Sequence, residues 1–335
     1  MSKKVVLGLS GGVDSAVSAR LLSDLGFEVF GLFLDIGGEA ARSDALSVAD
    51  FLKIPLKILD IREALEANVC APFVAAYLRG ETPNPCILCN PSVKFKALLE
   101  YADSIDAEYI STGHYAQTKD GKLFKGHPEN DQSYMLCRLT SEQVRRLILP
   151  LGGMAKQEIR ALAEGMNLPV ANKPDSMEIC FIPDGDYAEF IERRGEGFPP
   201  PGNFVDPLGN ILGRHKGIHH YTKGQRRGLG IAVGKRIFVS EIRPATNEVV
   251  LRDGDILYTS EISVRSINWL VPQSDTFSAD VRVRHSRVQT AAVVTPTESG
   301  ARVRFNTPVR APTAGQSAVF YIGDMVVGGG FIEAR

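Results

Sequence analysis

The sequence has no apolar run long enough to span a bilayer, and its first residues do not resemble a signal peptide. We therefore expect a cytoplasmic protein without membrane contact. Cysteines are few, five in 335 residues, and in a reducing compartment they are more often reactive or metal-binding than joined in disulfides. Hydrophobic content of 44% and charged content of 23% are ordinary for a globular protein, and the length indicates two or three domains.

Net positive charge, the usual mark of a nucleic-acid-binding protein, is also missing, since the formal net charge is −1. The charge is unevenly distributed, however. Residues 191–335 carry 19 Lys and Arg against 13 Asp and Glu, whereas residues 1–190 carry 19 against 26. A basic half is typical of a nucleic-acid surface, but a solvated face has the same composition, so charge alone leaves both interpretations open.

The most informative stretch is a glycine-rich turn between an apolar run, Val5 to Leu7, and a helical pattern, Ala16 to Leu25. Bare glycine backbone and the N-terminus of a helix can together hold an anion. The turn contains no Lys, which excludes the common phosphate loop, and it is not the Gly-x-Gly-x-x-Gly dinucleotide turn. The candidate anion-binding residues are Gly8, Leu9, Ser10, Gly11, Gly12, Val13, Asp14 and Ser15.

Residues 1–60 alternate strand and helix, which predicts a parallel sheet, and we expect an α/β domain over residues 1–150. Such sheets bind ligands beyond the carboxyl ends of their strands. Leu34 ends one predicted strand, and Gly113 and His114 follow another. Leu34 packs against an adenine ring or belongs to the core, and an isolated histidine such as His114 is more often structural.

The pattern changes after residue 150. We predict a small central domain over residues 151–204, which carries Cys180, and a C-terminal antiparallel β-barrel over residues 205–335, where short β-type runs alternate with turns. Cys137 lies in an apolar context and is expected to be buried.

Cys86 and Cys89 form a Cys-x-x-Cys unit. No second pair exists, which disfavours structural zinc. An iron–sulfur cluster on Cys86, Cys89 and Cys180 would be one ligand short of four. In sulfur transfer, one thiol carries a persulfide and another acts as the nucleophile. Cys89 precedes a predicted helix that bears Lys94 and Lys96, which favours a lowered thiol pKa.

Several short motifs resemble one family in the same order along nearly the whole chain, the bacterial tRNA-specific 2-thiouridylases, which are ATP pyrophosphatases with a PP-loop. The motifs are the Ser-Gly-Gly-Val-Asp-Ser loop, Thr82-Pro83-Asn84-Pro85, Cys89-Asn90, Val93-Lys94-Phe95, Thr112-Gly113-His114-Tyr115, Asp131-Gln132-Ser133-Tyr134, Asp175-Ser176, Ile179-Cys180-Phe181, Gly213-x-His215-x-Gly217 and Thr222-x-Gly224-Gln225-Arg226-x-Gly228-Leu229.

The resemblance implies 2-thiolation of the wobble uridine, U34, of tRNAs for Lys, Glu and Gln. ATP, with Mg²⁺, would adenylate the uridine and release pyrophosphate, and AMP would leave when sulfur enters. Its implied ATP-binding residues are the loop, Leu34 and Gly113. Cys180 would receive a persulfide from a sulfur-carrier protein or cysteine desulfurase, and Cys89 would be the nucleophile that forms a disulfide with Cys180.

One position departs from the family. The best-known members have Asp, thought to be a general acid/base, where this chain has Cys86. The thiol is either an imperfect replacement or a sign of a variant in which a [4Fe-4S] cluster on Cys86, Cys89 and Cys180 presents the sulfur.

The resemblance also implies a set of tRNA contacts: Asn84, Pro85, Cys86, His114, Asn130, Asp131, Gln132, Arg284, His285 and Gln316. We expect Arg282, Arg284 and Arg287 on one strand, with at least two charges on one face and salt-dependent binding. Without the resemblance, an exposed barrel strand would explain these arginines.

Two other functions remain open. A PP-loop ligase or amidotransferase could act on another substrate, although no glutaminase domain is visible. A non-catalytic tRNA-binding or sulfur-carrier protein would have no need of the intact loop from Ser10 to Ser15.

Overall fold

The computed structural model describes residues 3–175, 178–194, 197–232, 234 and 236–334, so Ser176 of the Asp175-Ser176 motif lies outside the described residues. The strands are β1 Lys4–Gly8, β2 Glu28–Asp35, β3 Leu56–Asp60, β4 Tyr109–Ser111, β5 Ala116–Lys119, β6 Lys122–Lys125, β7 Leu147–Ile148, β8 Gly202–Val205, β9 Ile211–His215, β10 Ile237–Arg243, β11 Glu248–Asp253, β12 Tyr258–Trp269, β13 Phe277–Arg282, β14 Thr290–Thr297, β15 Gly300–Arg310, β16 Ser317–Ile322 and β17 Met325–Ile332. The α-helices are α1 Val13–Asp24, α2 Glu39–Leu52, α3 Arg62–Leu65, α4 Ala71–Leu78, α5 Pro85–Cys89, α6 Phe95–Ser104, α7 Ser141–Arg146, α8 Lys156–Gly165 and α9 Tyr187–Glu192.

The first sheet is parallel, as the alternation of strand and helix predicts, with the strand order β3-β2-β1-β4-β7. Strand β1 is buried on both faces: Val6 packs in one apolar cluster, whereas Val5 and Leu7 pack in another. Helices therefore cover both faces of the sheet. The carboxyl ends of β1, β2 and β4 meet at one edge, which brings together the glycine-rich loop, Leu34 and Gly113.

The helix that carries the paired cysteines begins earlier than the sequence pattern predicts. It starts with α5, where Asn84 caps the chain by accepting the N–H of Cys86 at 3.2 Å and Pro85 occupies the first turn. A π-helical turn over Asn90–Lys94 then leads into α6. Pro91 has no N–H to donate within this turn, which fits the wider backbone there.

The β-rich region contains two sheets. Strands β10-β11-β8-β9 form a sheet of their own, in which β8 and β11 are parallel. The antiparallel barrel follows from Tyr258, in the order β12-β15-β14-β13-β16-β17, and closes through pairing of β12 with β17. The expected barrel is therefore present, preceded by a separate small sheet. The boundaries at residues 150 and 204 stay predictions.

A hairpin of the first domain extends the barrel. Strands β5 and β6 turn at Asp120 and Gly121, both with positive φ. Strand β6 pairs with β17 through Phe124 and Met325. Side chains from both domains share one buried cluster, which includes Leu123 and Val319. The barrel is thus packed firmly onto the domain that holds the glycine-rich loop.

None of the described helices has both the length and the apolar character that crossing a membrane requires.

Candidate functional site

The glycine-rich loop is held in shape by its own serines. The Ser15 hydroxyl donates to the carbonyl of Gly12 at 3.0 Å and accepts the N–H of Ser10 at 3.2 Å. Gly11 has φ of 72°, and a Cβ there would lie 2.6 Å from the carbonyl oxygen of Ala41 in α2. The loop therefore needs glycine at this position, and its backbone is fixed before any anion arrives.

Gly113 lies directly against the start of α1. A Cβ at this position would be 3.0 Å from the backbone nitrogen of Ser15 and 3.0 Å from Asp14. The structure thus brings Gly113 to the loop as predicted. Next to it, His114 is half-buried and bonded to the hydroxyl of Thr112 at 2.8 Å. Burial holds the pKa of His114 well below its usual value, so its ring is neutral at neutral pH.

Two lysines that the sequence reasoning missed flank the loop. Lys156, at the start of α8, lies 2.6 Å from the Asp14 carboxylate, to which the Tyr115 hydroxyl also donates at 2.6 Å. Lys173 donates to the carbonyl of Gly11 at 2.9 Å and pairs with Asp44 at 2.5 Å. The loop itself lacks Lys, and these side chains supply the cations from a later part of the chain.

Asp175 continues this cluster. It pairs with Lys156 at 2.9 Å and with Arg160, one turn further along α8, at 2.9 Å. Lys156 and Arg160 are four positions apart and therefore share a face of the helix. That spacing is the one sequence signal that could have found them. Asp14, Asp44 and Asp175 thus neutralise the cations of this cluster.

Cysteines from distant segments meet in one apolar cluster at the same sheet edge. Cys70 and Val69 are buried in it, and Leu34, Cys89 and Phe181 pack against it. Cys86 and Cys180 are exposed, and all five cysteines are free thiols. Cys89 therefore lies in one apolar neighbourhood with the segment that carries Cys180, while Cys137 is buried elsewhere, as expected.

The expectation of a lowered pKa for Cys89 is wrong. Burial raises its pKa to about 11, which outweighs the opposite effect of the nearby Lys94 charge. Cys89 also closes the first turn of α5 rather than preceding a helix, so the helix N-terminus faces Cys86 more than Cys89. Desolvation likewise raises the pKa of Cys180, again against Lys94, and burial raises that of Cys70 to about 11.

The thiols do not form a compact single-ion site. Among the described residues, no three cysteine sulfurs lie within 4.8 Å of one another. An iron–sulfur cluster spans more space than a single ion, so a cluster on Cys86, Cys89 and Cys180 stays a prediction.

The loop before Asn84 is held by the barrel. Gln316 donates its amide to the carbonyl of Thr82 at 2.8 Å, and the N–H of Thr82 donates to the carbonyl of Ala314 at 2.8 Å. Glu81 pairs with Arg265 of β12 at 3.1 Å. Of the expected tRNA-contact residues, Asn84, Pro85, Cys86 and Gln316 therefore belong to one junction.

Other expected tRNA contacts have partners within the protein. Asp131 forms a buried ion pair with Arg282 at 2.6 Å, and both side chains are under a tenth exposed. Gln132 accepts the N–H of Tyr115 at 3.0 Å. The Oδ1 atom of Asn130 is buried without a partner among the described residues. These residues shape the surface between the first domain and the barrel.

The expectation that three arginines share a strand is wrong, because β13 ends at Arg282. Arg284 lies in the following turn and donates to the carbonyls of Arg310 and Ala311 at 2.6 and 2.8 Å. Its neighbour His285 packs beside Tyr134, and burial lowers the pKa of His285.

Comparisons with known proteins cover the chain from end to end. Residues 3–184 match the family model "tRNA methyl transferase HUP domain", residues 188–253 match "tRNA methyl transferase PRC-barrel domain", and residues 259–332 match "Aminomethyltransferase beta-barrel domain". The last two matches coincide with the small sheet and with the closed barrel.

Full-length relatives are similar throughout. A protein of Carboxydothermus hydrogenoformans named tRNA-specific 2-thiouridylase MnmA is 45% identical, covering 99% of this chain and 98% of that protein. Proteins of the same name from Acetivibrio thermocellus and Clostridium perfringens are 44% and 42% identical, each match covering 99% of both chains.

Proposed function

This chain belongs to the tRNA-specific 2-thiouridylase family, and we propose from that premise that it replaces the C2 oxygen of a tRNA uridine by sulfur. The proposed target is the wobble uridine, U34, of tRNAs for Lys, Glu and Gln. The observation that supports the proposal is that Leu34, Cys89 and Phe181 pack against one apolar cluster, because Leu34 ends β2, the strand that pairs with the strand leading into the glycine-rich loop.

The loop serves the activation step. A C2 carbonyl is a poor electrophile, and transfer of AMP to its oxygen creates a good leaving group. The loop backbone and the N-terminus of α1 would hold the phosphates of ATP. Lys156 and Lys173 would exchange their carboxylate partners for phosphate oxygens. Asp14 fits Mg²⁺, which binds through one or two carboxylates and substrate phosphates.

The thiols serve the sulfur step. The terminal sulfur of a Cys180 persulfide forms a bond to C2, and AMP departs with the original oxygen. The Cys89 thiolate then attacks Cys180 sulfur, so the sulfur–sulfur bond breaks, the thiocarbonyl is released and a Cys89–Cys180 disulfide remains. A cellular thiol reductant restores both cysteines. Exposure of Cys180 supports loading by a sulfur-carrier protein or a cysteine desulfurase.

The thiol of Cys86 allows a second route of sulfur delivery in the same reaction. It is exposed on the first turn of α5, and its proximity raises the pKa of Cys180, which supports a common neighbourhood for Cys86, Cys89 and Cys180. A [4Fe-4S] cluster on these three residues would present the sulfur on its open iron. Anaerobic reconstitution of the chain with iron and sulfide tests this route. The route is excluded if the chain binds no iron and shows no broad absorbance at about 400 nm.

The tRNA would lie across the junction of the first domain and the barrel. Asn84, Pro85 and Cys86 would face the flipped base, which must leave its stack to reach the site. The remaining contacts would come from His114, Asn130, Asp131, Gln132, Arg284, His285 and Gln316. A tRNA substrate also implies a cytoplasmic enzyme.

The test is nucleoside mass spectrometry of tRNA from cells that lack the chain. We expect 2-thiouridine derivatives to disappear and to return with the wild-type chain but not with Cys180→Ser. Cys137→Ala, which changes a buried thiol elsewhere in the fold, is the matched control and should restore the nucleoside. Unchanged 2-thiouridine in the deleted strain would contradict the proposal.

A further inference from the structure

A second set of ligand-type side chains lies away from the thiols. Among the described residues, the ligand atoms of Glu192, His219 and His220 all lie within 4.8 Å of one another. Glu192 ends α9, and both histidines belong to the short 3₁₀ turn Ile218–His220. The Nε2 atoms of His219 and His220 face the same oxygen of Glu192, at 3.1 and 3.0 Å.

These distances are close to those of a tetrahedral zinc site. Zinc binds imidazole nitrogen and carboxylate oxygen at about 2.0–2.2 Å, which separates neighbouring ligand atoms by about 3.3 Å. For the two pairs that include Glu192, an ion between the three residues would therefore require an outward movement of only about 0.2–0.3 Å. Two imidazoles and one carboxylate are also a ligand set that zinc prefers.

Burial favours the same assignment. The His219 side chain is fully buried, and its Nδ1 atom has no hydrogen-bond partner among the described residues. Glu192 and His220 are 38% and 24% exposed, which leaves an entry side and room for a water ligand.

The surroundings also offer an acceptor for the second ring nitrogen of His219. When Nε2 binds a metal, Nδ1 must carry the proton. A Cβ at Gly217 would lie 2.9 Å from Nδ1 and 2.7 Å from the carbonyl oxygen of Pro199, so this carbonyl borders the same gap. A glycine at position 217 keeps the gap open.

We propose that Glu192, His219 and His220 bind one Zn²⁺ ion, with water as the fourth ligand. The ion joins α9 to the turn after β9. Helix α9 follows the Cys180 segment and packs on α4, where the rings of Tyr77 and Tyr187 stack at 4.8 Å. Zinc therefore acts as a clamp that fixes the segment leading from Cys180.

The experiment uses the full-length chain with Cys86, Cys89 and Cys180 changed to Ser, so that these thiols cannot bind the metal. We expect calorimetry to show one Zn²⁺ per chain and zinc to raise the melting temperature. Co²⁺ should give a four-coordinate spectrum without thiolate charge-transfer bands. Glu192→Gln and His220→Asn should each weaken zinc binding by at least about tenfold.

Glu189→Gln is the matched control, because Glu189 lies on the same helix and pairs with Arg193 instead. Its zinc affinity should equal that of the parent. Melting of each variant without zinc verifies folding, and His220→Asn carries the test if Glu192→Gln does not fold. Absence of stoichiometric zinc in the serine background, or equal affinity in parent, Glu192→Gln and His220→Asn, overturns the proposal.

Discussion

Lys94 opposes the effect of desolvation on the pKa values of Cys89 and Cys180. Its charge lowers the pKa of Cys89 and of Cys180, while desolvation raises both. The neutral thiol of Cys89 is therefore dominant at neutral pH, and its thiolate fraction grows as the pH rises toward about 11.

Lys94→Met should make Cys89 less reactive. Loss of the cation raises the thiol pKa further, so alkylation by iodoacetamide at pH 8 should slow several-fold. Peptide mass spectrometry reads the modification at Cys89 alone. Lys96→Met is the control, since Lys96 is exposed beside Glu100 and should leave the rate unchanged. An equal rate in all three chains would contradict the role of Lys94.

A second prediction at the scale of single residues concerns the buried ion pair between Asp131 and Arg282. Arg282→Met removes the cation and leaves a buried carboxylate, so the free energy of unfolding should fall by about 3–5 kcal/mol. Asp131→Asn in the same chain should recover much of this loss, because no charge is then left unpaired. Urea unfolding measures both variants. Equal stability of Arg282→Met and the parent would show that the pair is not desolvated.

At the scale of elements, the close approach of β4 to α1 determines the shape of the loop. Gly113→Ala places a Cβ 3.0 Å from backbone atoms of Asp14 and Ser15, which cannot move aside independently of the loop. Such crowding costs about 1–3 kcal/mol, so ATP affinity should fall about tenfold. Gly153→Ala, which has open space, is the matched control for equilibrium ATP binding. Unchanged ATP affinity in Gly113→Ala would show that Gly113 does not contribute to the ATP-binding site.

The alternation of strands and helices was enough to predict the parallel sheet, because parallel strands need helical connections and share one binding edge. The start of the helix at Pro85 was not predicted, because Pro91 looks like a helix breaker although a π-helical turn accommodates it. The separate sheet of β8 to β11 was not distinguished from the barrel, since strand pairing depends on contacts that short β-patterns do not specify.

The sequence predicted only those parts of the site that lie within recognisable motifs. The loop and Gly113 follow from glycine chemistry. The positions of Lys156 and Lys173 depend on contacts across more than a hundred residues, and burial of Cys89 depends on packing with Val69 and Phe181. The paired cysteines were found from their spacing, but the raised pKa of Cys89 was not predicted.

At the scale of the whole molecule, the barrel positions the loop that leads to Asn84. Gln316→Ala removes the hydrogen bond to Thr82, worth about 1 kcal/mol, so the thiolation rate at low tRNA concentration should fall about fivefold while ATP affinity is unchanged. Gln289→Ala, which loses a barrel hydrogen bond to Asp280, is the control for both measurements. A loss of ATP affinity in Gln316→Ala would indicate general destabilisation instead.

The most direct test of the central claim is a single turnover with the chain carrying a Cys180 persulfide, tRNA and ATP. Peptide mass spectrometry then measures the Cys89–Cys180 disulfide, and nucleoside mass spectrometry measures 2-thiouridine. The account predicts one disulfide for each 2-thiouridine formed, and neither product when ATP is omitted. Formation of 2-thiouridine without the disulfide would contradict it.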